Sequence, residues 1–365
     1  MKYKKIKFPE DELAHKNIIE WWYFNGNLKD KKGNEYAFMN CLFKVKVDKV
    51  KIPFLKVPLK TAYFSHSLLS DIKNKKFYSE VNPLSIVSTD SFSKPLLFIE
   101  YTQPSLNGYI SYIIEKTEKS KYHIKTKDID LTFISTKTPL LEGGKGFVSL
   151  NPKETYYYSL TNLKTRGKIK IKGKWIEVKG KSWMDHQWAD VPYGGDKWTW
   201  FSIQLENNME IVCFEYDDKK NKTYLASISY PNSKQKHFSK IKLKPLGEKW
   251  KSKRTGTIYS LSWEIEIPSE KIKLEVQSLI KNQEMNFGTI NYWEGPLKVK
   301  GAIKNKKVKG KGFMELVGYP SDYNKMKYLK GETASVMKKS LFYIKKELNN
   351  KKKKTIKYFW KKLGL

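Results

Sequence analysis

Apolar and polar residues alternate with a period of two through most of the chain, in short runs bounded by Gly, Pro, Asn, Asp and Ser. That period belongs to β-strands, whose successive side chains point to opposite faces. The first dense run, residues 15–28, reads H-K-N-I-I-E-W-W-Y-F-N-G-N-L. As a strand it sends Glu20, Trp22 and Phe24 one way and Trp21 and Tyr23 the other, which predicts burial on both faces. The D-K-K-G-N segment at 30–34 is a hairpin signal, and 35–47 is the return strand. Further strands are expected at 61–69, 96–101, 109–115, 122–125, 129–135 and 156–163, with an exposed hairpin at 167–178. The Gly-rich stretch 143–146 lacks the Lys-Ser/Thr ending of a phosphate loop and reads as a plain loop.

After P-Y-G-G-D at 192–196 the rhythm restarts, with strands expected at 198–205, 209–216, 223–230, 257–267, 271–278, 289–299 and 311–316. Short antiparallel strands at this spacing suit barrels or sandwiches. Both halves open on aromatic strands, E-W-W-Y-F and K-W-T-W-F. From Glu332 the period becomes helical: Met337, Leu341, Ile344 and Leu348 share a face, and Ile356, Trp360 and Leu363 resume it after a run of lysines. This basic helix over 332–365 either packs on the body or lies on an anionic membrane surface.

Between the halves lies the densest polar and aromatic stretch, S-W-M-D-H-Q-W-A-D at 182–190. Alternation puts Trp183, Asp185 and Gln187 on one face and Met184, His186 and Trp188 on the other. In M-E-I-V-C-F-E-Y at 209–216 it puts Ile211, Cys213 and Glu215 together, opposite Glu210, Val212, Phe214 and Tyr216. A carboxylic acid in an apolar interior is held neutral by desolvation. It can then protonate an alkene, with the developing cation faced by Trp and Tyr rings. Asp185 and Glu215 are the candidates for that acid, and each also reads as a structural hydrogen-bonding or edge carboxylate. Glu20 and Glu294, each beside a tryptophan, read as structural.

Composition narrows the alternatives. The net charge is +34, yet of 71 basic residues only Arg166 and Arg254 are arginine. Scattered lysine without arginine reads as a solvated coat, and it disfavours base or phosphate readout by nucleic-acid binding. The five histidines show no ligand spacing and no cysteine pair stands near them, so no metal site is expected. Neither a nucleophile elbow nor a dinucleotide fingerprint occurs, so no cofactor is expected. Cys41 and Cys213 form no disulfide framework. With no apolar leader or spanning run, the expected location is the cytoplasm, peripheral to a membrane if the tail engages one.

The segments H-K-N-I-I-E-W-W-Y-F-N-G-N-L, Y-Y-Y-S-L-T-N-L-K-T-R-G-K-I, W-M-D-H-Q-W, Y-W-E-G-P-L-K-V-K-G and G-K-G-F-M-E-L-V-G-Y occur in this order. Together they resemble the carotenoid 1,2-hydratase/AttH-like lipocalin family, over residues 15–319. The resemblance implies an all-β fold of two tandem lipocalin-like antiparallel β-barrels; the C-terminal basic helical tail read from the periodicity lies outside it. The expected divisions of the chain are a lead-in at 1–14, barrels at 15–186 and 187–320, and the tail at 321–365. It also implies an apolar ligand cavity at or between the barrels and cofactor-free hydration of an isoprenoid double bond by protonation; fungal Diels–Alderases are similar in architecture. Carried onto this chain it favours His186 and Trp188, and it puts Cys213 and Glu215 where a Tyr and an Asp are expected. Both are departures: one removes a phenol, the other lengthens the carboxylate arm.

The expected function is binding of an isoprenoid or polyene-like lipid with acid-assisted hydration or cyclisation. Glu215 or Asp185 donates the proton, His186 and Gln187 orient it or the water, and Trp22, Trp188, Trp198 and Trp200 line the cavity with Cys213. The alternative is a non-catalytic lipid carrier at a membrane surface.

Overall fold

A computed structural model describes residues 3–46, 49, 60–105, 108–191, 195–287 and 290–320. The basic helix expected over 321–365, with its membrane-contact segment 332–365, lies outside the described residues. The first sheet contains β1 (Ile19–Asp30), β2 (Glu35–Lys46), β3 (Thr61–Asp71), β4 (Lys76–Val87), β5 (Phe98–Ser105), β6 (Gly108–Glu118), β7 (Lys121–Lys125), β8 (Ile129–Ser135), β9 (Leu140–Leu141), β10 (Phe147–Ser149), β11 (Glu154–Ile171) and β12 (Lys174–Ala189). The second contains β13 (Lys197–Leu205), β14 (Glu210–Asp217), β15 (Lys222–Ser229), β16 (Gln235–Phe238), β17 (Lys242–Lys251), β18 (Ile258–Ile267), β19 (Ile272–Ser278), β20 (Glu284–Phe287), β21 (Ile290–Ile303) and β22 (Lys306–Val317).

In the first sheet β12, β1, β2 and β3 to β8 lie side by side, and β8 pairs back onto β11, which closes a barrel. The β11–β12 ladder carries a bulge between Leu160 and Leu163, and the two ends of β11 take different partners on the other edge. The lower half of β11 pairs β8, while its upper half carries β9 and β10. The second sheet runs β16-β15-β14-β13-β22-β21-β19-β18-β17 and is a half-barrel. The tandem all-β arrangement implied by the resemblance is present. The sheets change over between Ala189 and Lys197, so the expected division after residue 186 falls within β12.

Alternation in β1 is obeyed. Trp22 and Phe24 join the barrel core with Met184 and Trp188, whereas Tyr23 joins Trp183 in a separate layer. That layer is the seam between the sheets. From the first it takes Tyr23, Met39, Cys41, Leu68, Tyr157 and Trp183; from the second it takes Trp200, Val212, Phe214, Tyr216, Tyr292 and Phe313. The opposite face of the second sheet buries Phe201, Ile203, Cys213, Trp263 and Trp293. Each of the strands forming the seam is therefore apolar on both faces, which sets the aromatic richness of the sequence.

Six strands lie outside the sequence expectation: β4, the short β9 and β10, β16, β17 and β20. β4 carries Ser79, Glu80 and Asn82 in its middle, contains Pro83 and takes a bulge opposite Tyr63–Ser65. β17 is half lysine and glutamate, carries Pro245 and has its own bulge. Such strands show no run of alternating apolar residues. Among the described residues no helix is long and apolar enough to cross a membrane.

Candidate functional site

The residues singled out from the sequence lead to two groups of buried polar side chains, one inside the barrel and one in the seam. The barrel group centres on Glu20, which is fully buried. Its carboxylate accepts from His15 Nδ1 at 2.7 Å, from the His15 backbone N–H at 2.9 Å and from Lys44 Nζ at 2.7 Å, and it meets His186 Nε2 at 3.0 Å. Burial alone would raise Glu20. The hydrogen bonds from His15 and His186 and the charges of His186 and Lys44 outweigh it and hold the carboxyl at about 2. Burial pulls His186 down to about 4, against the pull of Glu20.

Aromatic rings complete this group. Trp22 stacks on His186 at 4.9 Å, and His15 stacks on Trp188 at 3.8 Å. The lead-in residues are tied in as well: Trp22 Nε1 donates to the Glu12 carbonyl, and the Glu12 carboxylate binds Lys116 and Tyr122. His15, Glu20 and His186 offer three ligand atoms within 4.8 Å of one another, a grouping that sequence spacing does not reveal. The geometry among them is that of hydrogen bonds, and the Lys44 ammonium sits on the other Glu20 oxygen. The arrangement is a saturated lock, buried in the barrel and tied to the lead-in through His15.

The seam group is different in kind, because among the described residues its carboxyls Asp185, Glu294 and Glu315 make no ion pair. Asp185 accepts from Trp183 Nε1 at 2.6 Å, Ser159 Oγ at 2.6 Å and Tyr157 Oη at 2.8 Å. Burial pushes it up to about 7, although those three hydrogen bonds oppose the rise. Tyr157 Oη in turn accepts from Trp200 Nε1 at 3.0 Å, across the seam. Tyr23 stands edge-on to Trp200 with centroids 5.7 Å apart and donates to Glu294 Oε1 at 2.5 Å.

Glu294 is paired directly across from Glu315 in the β21–β22 ladder, which sets the two carboxyls on one face. Burial raises Glu294, and the neighbouring Glu315 charge raises it further. Burial raises Glu315 too, against a 2.9 Å hydrogen bond from Trp198 Nε1 and with the charge of Asp185 adding to the rise. Burial and like charge together shift this pair toward its protonated forms. Glu294 and Asp185 are buried, whereas Glu315 and Trp198 are only half-buried, so the seam group opens at that end. Nearby His66 meets Tyr292 across the seam at 2.5 Å, and burial holds its pKa at about 3.

The residues singled out from the sequence thus fall into three compartments. Asp185, Trp198 and Trp200 meet in the seam, with Gln187 half-buried on the same face of β12. His186, Trp188 and Trp22 line the barrel lock. Cys213 lies in the core on the far face of the second sheet, where burial pushes its thiol up, and Glu215 shares that face. Glu215 is tied to Lys222 at 3.0 Å, a surface pair. Missed altogether were Glu315, Tyr23, Tyr157, Ser159 and Glu142. Glu294 was read as structural. A signal existed for Glu294 and Glu315: each is a lone acid inside an apolar strand, in Y-W-E-G-P and G-F-M-E-L. Their pairing needs the strand register, which is not local information.

Fold and seam together define a tandem lipocalin-like β-protein with an acid-rich aromatic layer between its halves. The chain belongs to the AttH-like family, whose model matches residues 1–319. It is 25% identical over 223 residues to kievitone hydratase of Fusarium solani subsp. phaseoli, covering 58% of this chain and 63% of that one. It is 26% identical over 202 residues to the dehydratase asqC of Emericella nidulans, covering 52% and 57%. The match therefore spans less than two thirds of either curated relative. Its fold is similar to the solved structure of the AttH protein of Nitrosomonas europaea, with a TM-score of 0.69 at 22% identity over 87% of this chain and 98% of that one.

Proposed function

We propose that the protein adds water to, or removes it from, a small hydrophobic substrate by cofactor-free acid–base catalysis in the seam. The observation that carries this reading is a pair of carboxyl poles without cationic partners among the described residues, joined by aromatic rings. One pole is Glu294 with Glu315; the other is Asp185 with Tyr157; Trp200 and Tyr23 lie between. Both poles are raised toward the pH at which an acid or base works best.

In the hydration direction the Glu294/Glu315 pair gives a proton to one alkene carbon. The positive charge that develops on the other carbon faces the rings of Trp198, Trp200 and Tyr23. Water attacks that carbon while Asp185 takes the released proton, and exchange with solvent then returns a proton to the Glu294/Glu315 pair and removes one from Asp185. One C–H and one C–O bond form, the C=C π bond and one O–H bond break, and no redox partner is needed. Dehydration runs the same steps backwards. The names of the two curated relatives, a hydratase and a dehydratase, agree with this reaction pair. An isoprenoid or polyene-like substrate is the finer proposal, because a row of Trp and Tyr faces suits an extended unsaturated chain.

The test is incubation of the purified protein with a hydrophobic extract of its producing cells, followed by mass spectrometry. The wild type is expected to interconvert species differing by one water. Glu315→Gln and Asp185→Asn are expected to lose this while still retaining a bound hydrophobic molecule. Retention of a molecule by the wild type without any interconversion would make the protein a carrier and sink the enzymatic reading.

A further inference from the structure

β2 and β3 turn Cys41, His66 and Leu68 toward the seam and their alternate residues toward the interior of the first barrel. A polar wall lies on that inner side. It is formed by Asn40 of β2, Ser65 of β3, Tyr78 and Ser85 of β4, and Tyr101 and Gln103 of β5. The strand register places each of them. Asn40 alternates with Phe38 and Leu42 of the barrel core, and Ser65 is paired with Leu42. Ser85 is paired with Tyr63, which packs on that core, as does Tyr78; Tyr101 belongs to the core itself.

The polar atoms of this wall are enclosed without being paired. Asn40, Ser85, Tyr101 and Gln103 are each at most 3% exposed. Among the described residues, Asn40 Nδ2, Tyr78 Oη, Ser85 Oγ, Tyr101 Oη and Gln103 Oε1 have no hydrogen-bond partner. Gln103 is anchored, because its Nε2 donates to Ser65 Oγ at 2.5 Å. Turning that amide over exchanges its ends and still leaves one of them unpaired. Tyr101 is held by stacking on Tyr112, with ring centroids 5.1 Å apart. It stands two residues from Gln103 on the same strand face, about 7 Å along the strand. Buried polar groups left unanswered cost stability, and several on one wall call for a shared partner.

We propose that this wall is a binding subsite inside the first barrel for a small neutral molecule that carries a hydroxyl group. Asn40 Nδ2 can only donate and Gln103 Oε1 can only accept, and a hydroxyl answers both. Charged groups on the same strand faces are already paired: Lys44 with Glu20 at 2.7 Å, and Glu80 with Lys127 at 2.8 Å. An ion placed against the wall would lose its hydration for no counter-charge. Phe24, Phe38 and Phe133 pack at 5.4 and 5.9 Å in the same interior, which keeps the guest small. Water and a short alcohol share the required chemistry. Asn40 and Cys41 are neighbours on opposite faces, as are Ser65 and His66, so the sheet itself separates this subsite from the seam. It does not depend on the hydration reading.

Two measurements on the whole protein test the subsite. Oxygen-17 relaxation dispersion counts long-lived internal waters, and mass spectrometry of the extract released on unfolding detects a bound alcohol. Asn40→Leu should retain about one guest molecule fewer than the wild type. A lost water identifies water as the guest; a lost compound identifies an alcohol. Equal retention by the two proteins overturns the proposal. Tyr101→Phe removes a single oxygen and is expected to fold. If its hydroxyl has a partner in the wild type, the variant should unfold at a midpoint lower by about 2 °C. If the hydroxyl is unanswered, its removal relieves a penalty, and a midpoint that is unchanged or raised overturns the proposal. Were Asn40→Leu not to fold, Tyr101→Phe would decide by both readouts.

Discussion

At the scale of single residues, the two carboxylates of the central strands respond to pH in opposite senses. Glu20 has a folded pKa depressed to about 2 from 4.5. Its contribution to stability is therefore full above about pH 4.5 and is lost as pH falls toward 2, a swing of about 3 kcal/mol. Asp185 is raised to about 7 from 3.8. Its neutral form is the one the fold prefers, so that contribution is full below about pH 3.8 and is lost as pH rises through 7. Urea unfolding across this range should show Asp185→Asn gaining stability relative to the wild type above neutrality; a constant difference at every pH would contradict the raised pKa. Lys44→Met leaves the Glu20 charge short of its ammonium and should cost about 3–5 kcal/mol at neutral pH, measured in the same way. Polar groups are thus used here both to lock the barrel and to equip the seam, and only their surroundings tell the two uses apart.

Elements decide which of these residues meet. β11 closes the barrel on β8 at Gly167, whose φ is +149° and whose missing Cβ would come within 2.1 Å of the Asp130 carbonyl oxygen. Gly167→Ala should destabilise the protein by about 1–3 kcal/mol from backbone strain alone, with the β8–β11 amides losing hydrogen-exchange protection first. Much of this level was legible in the sequence. Period-two alternation separated Trp183 and Asp185 from Met184 and His186, and the structure keeps them on opposite faces. It also grouped Cys213 with Ile211. Strands rich in lysine or interrupted by Pro83 and Pro245 were not legible, because their burial is set by neighbours rather than by their own pattern. The acid site was half legible. Asp185 lies in a dense motif, but Glu294 and Glu315 become a pair only through the β21–β22 register, more than twenty residues apart by chain. His186 likewise reaches Glu20 from a distant strand, whereas His15 reaches it from the lead-in five residues away.

For the whole molecule, the seam is both the main contact between the halves and the proposed site. Tyr23 to Glu294, Trp200 to Tyr157, His66 to Tyr292 and Ser70 to Gln283 all cross it. Desolvation by both sheets raises the acids, so the docking of the halves and the acidity of the site are one property. The surface lysines contribute little to this: their ion pairs, such as Lys31 with Glu177 and Lys300 with Glu275, are exposed and worth little in stability. The most direct test of the central claim is turnover of the cell extract in water enriched in heavy oxygen, for the wild type and for Glu315→Gln. The account predicts heavy oxygen entering the hydrated product with the wild type and none above background with the variant, at equal ligand retention. Equal incorporation by both proteins would contradict it.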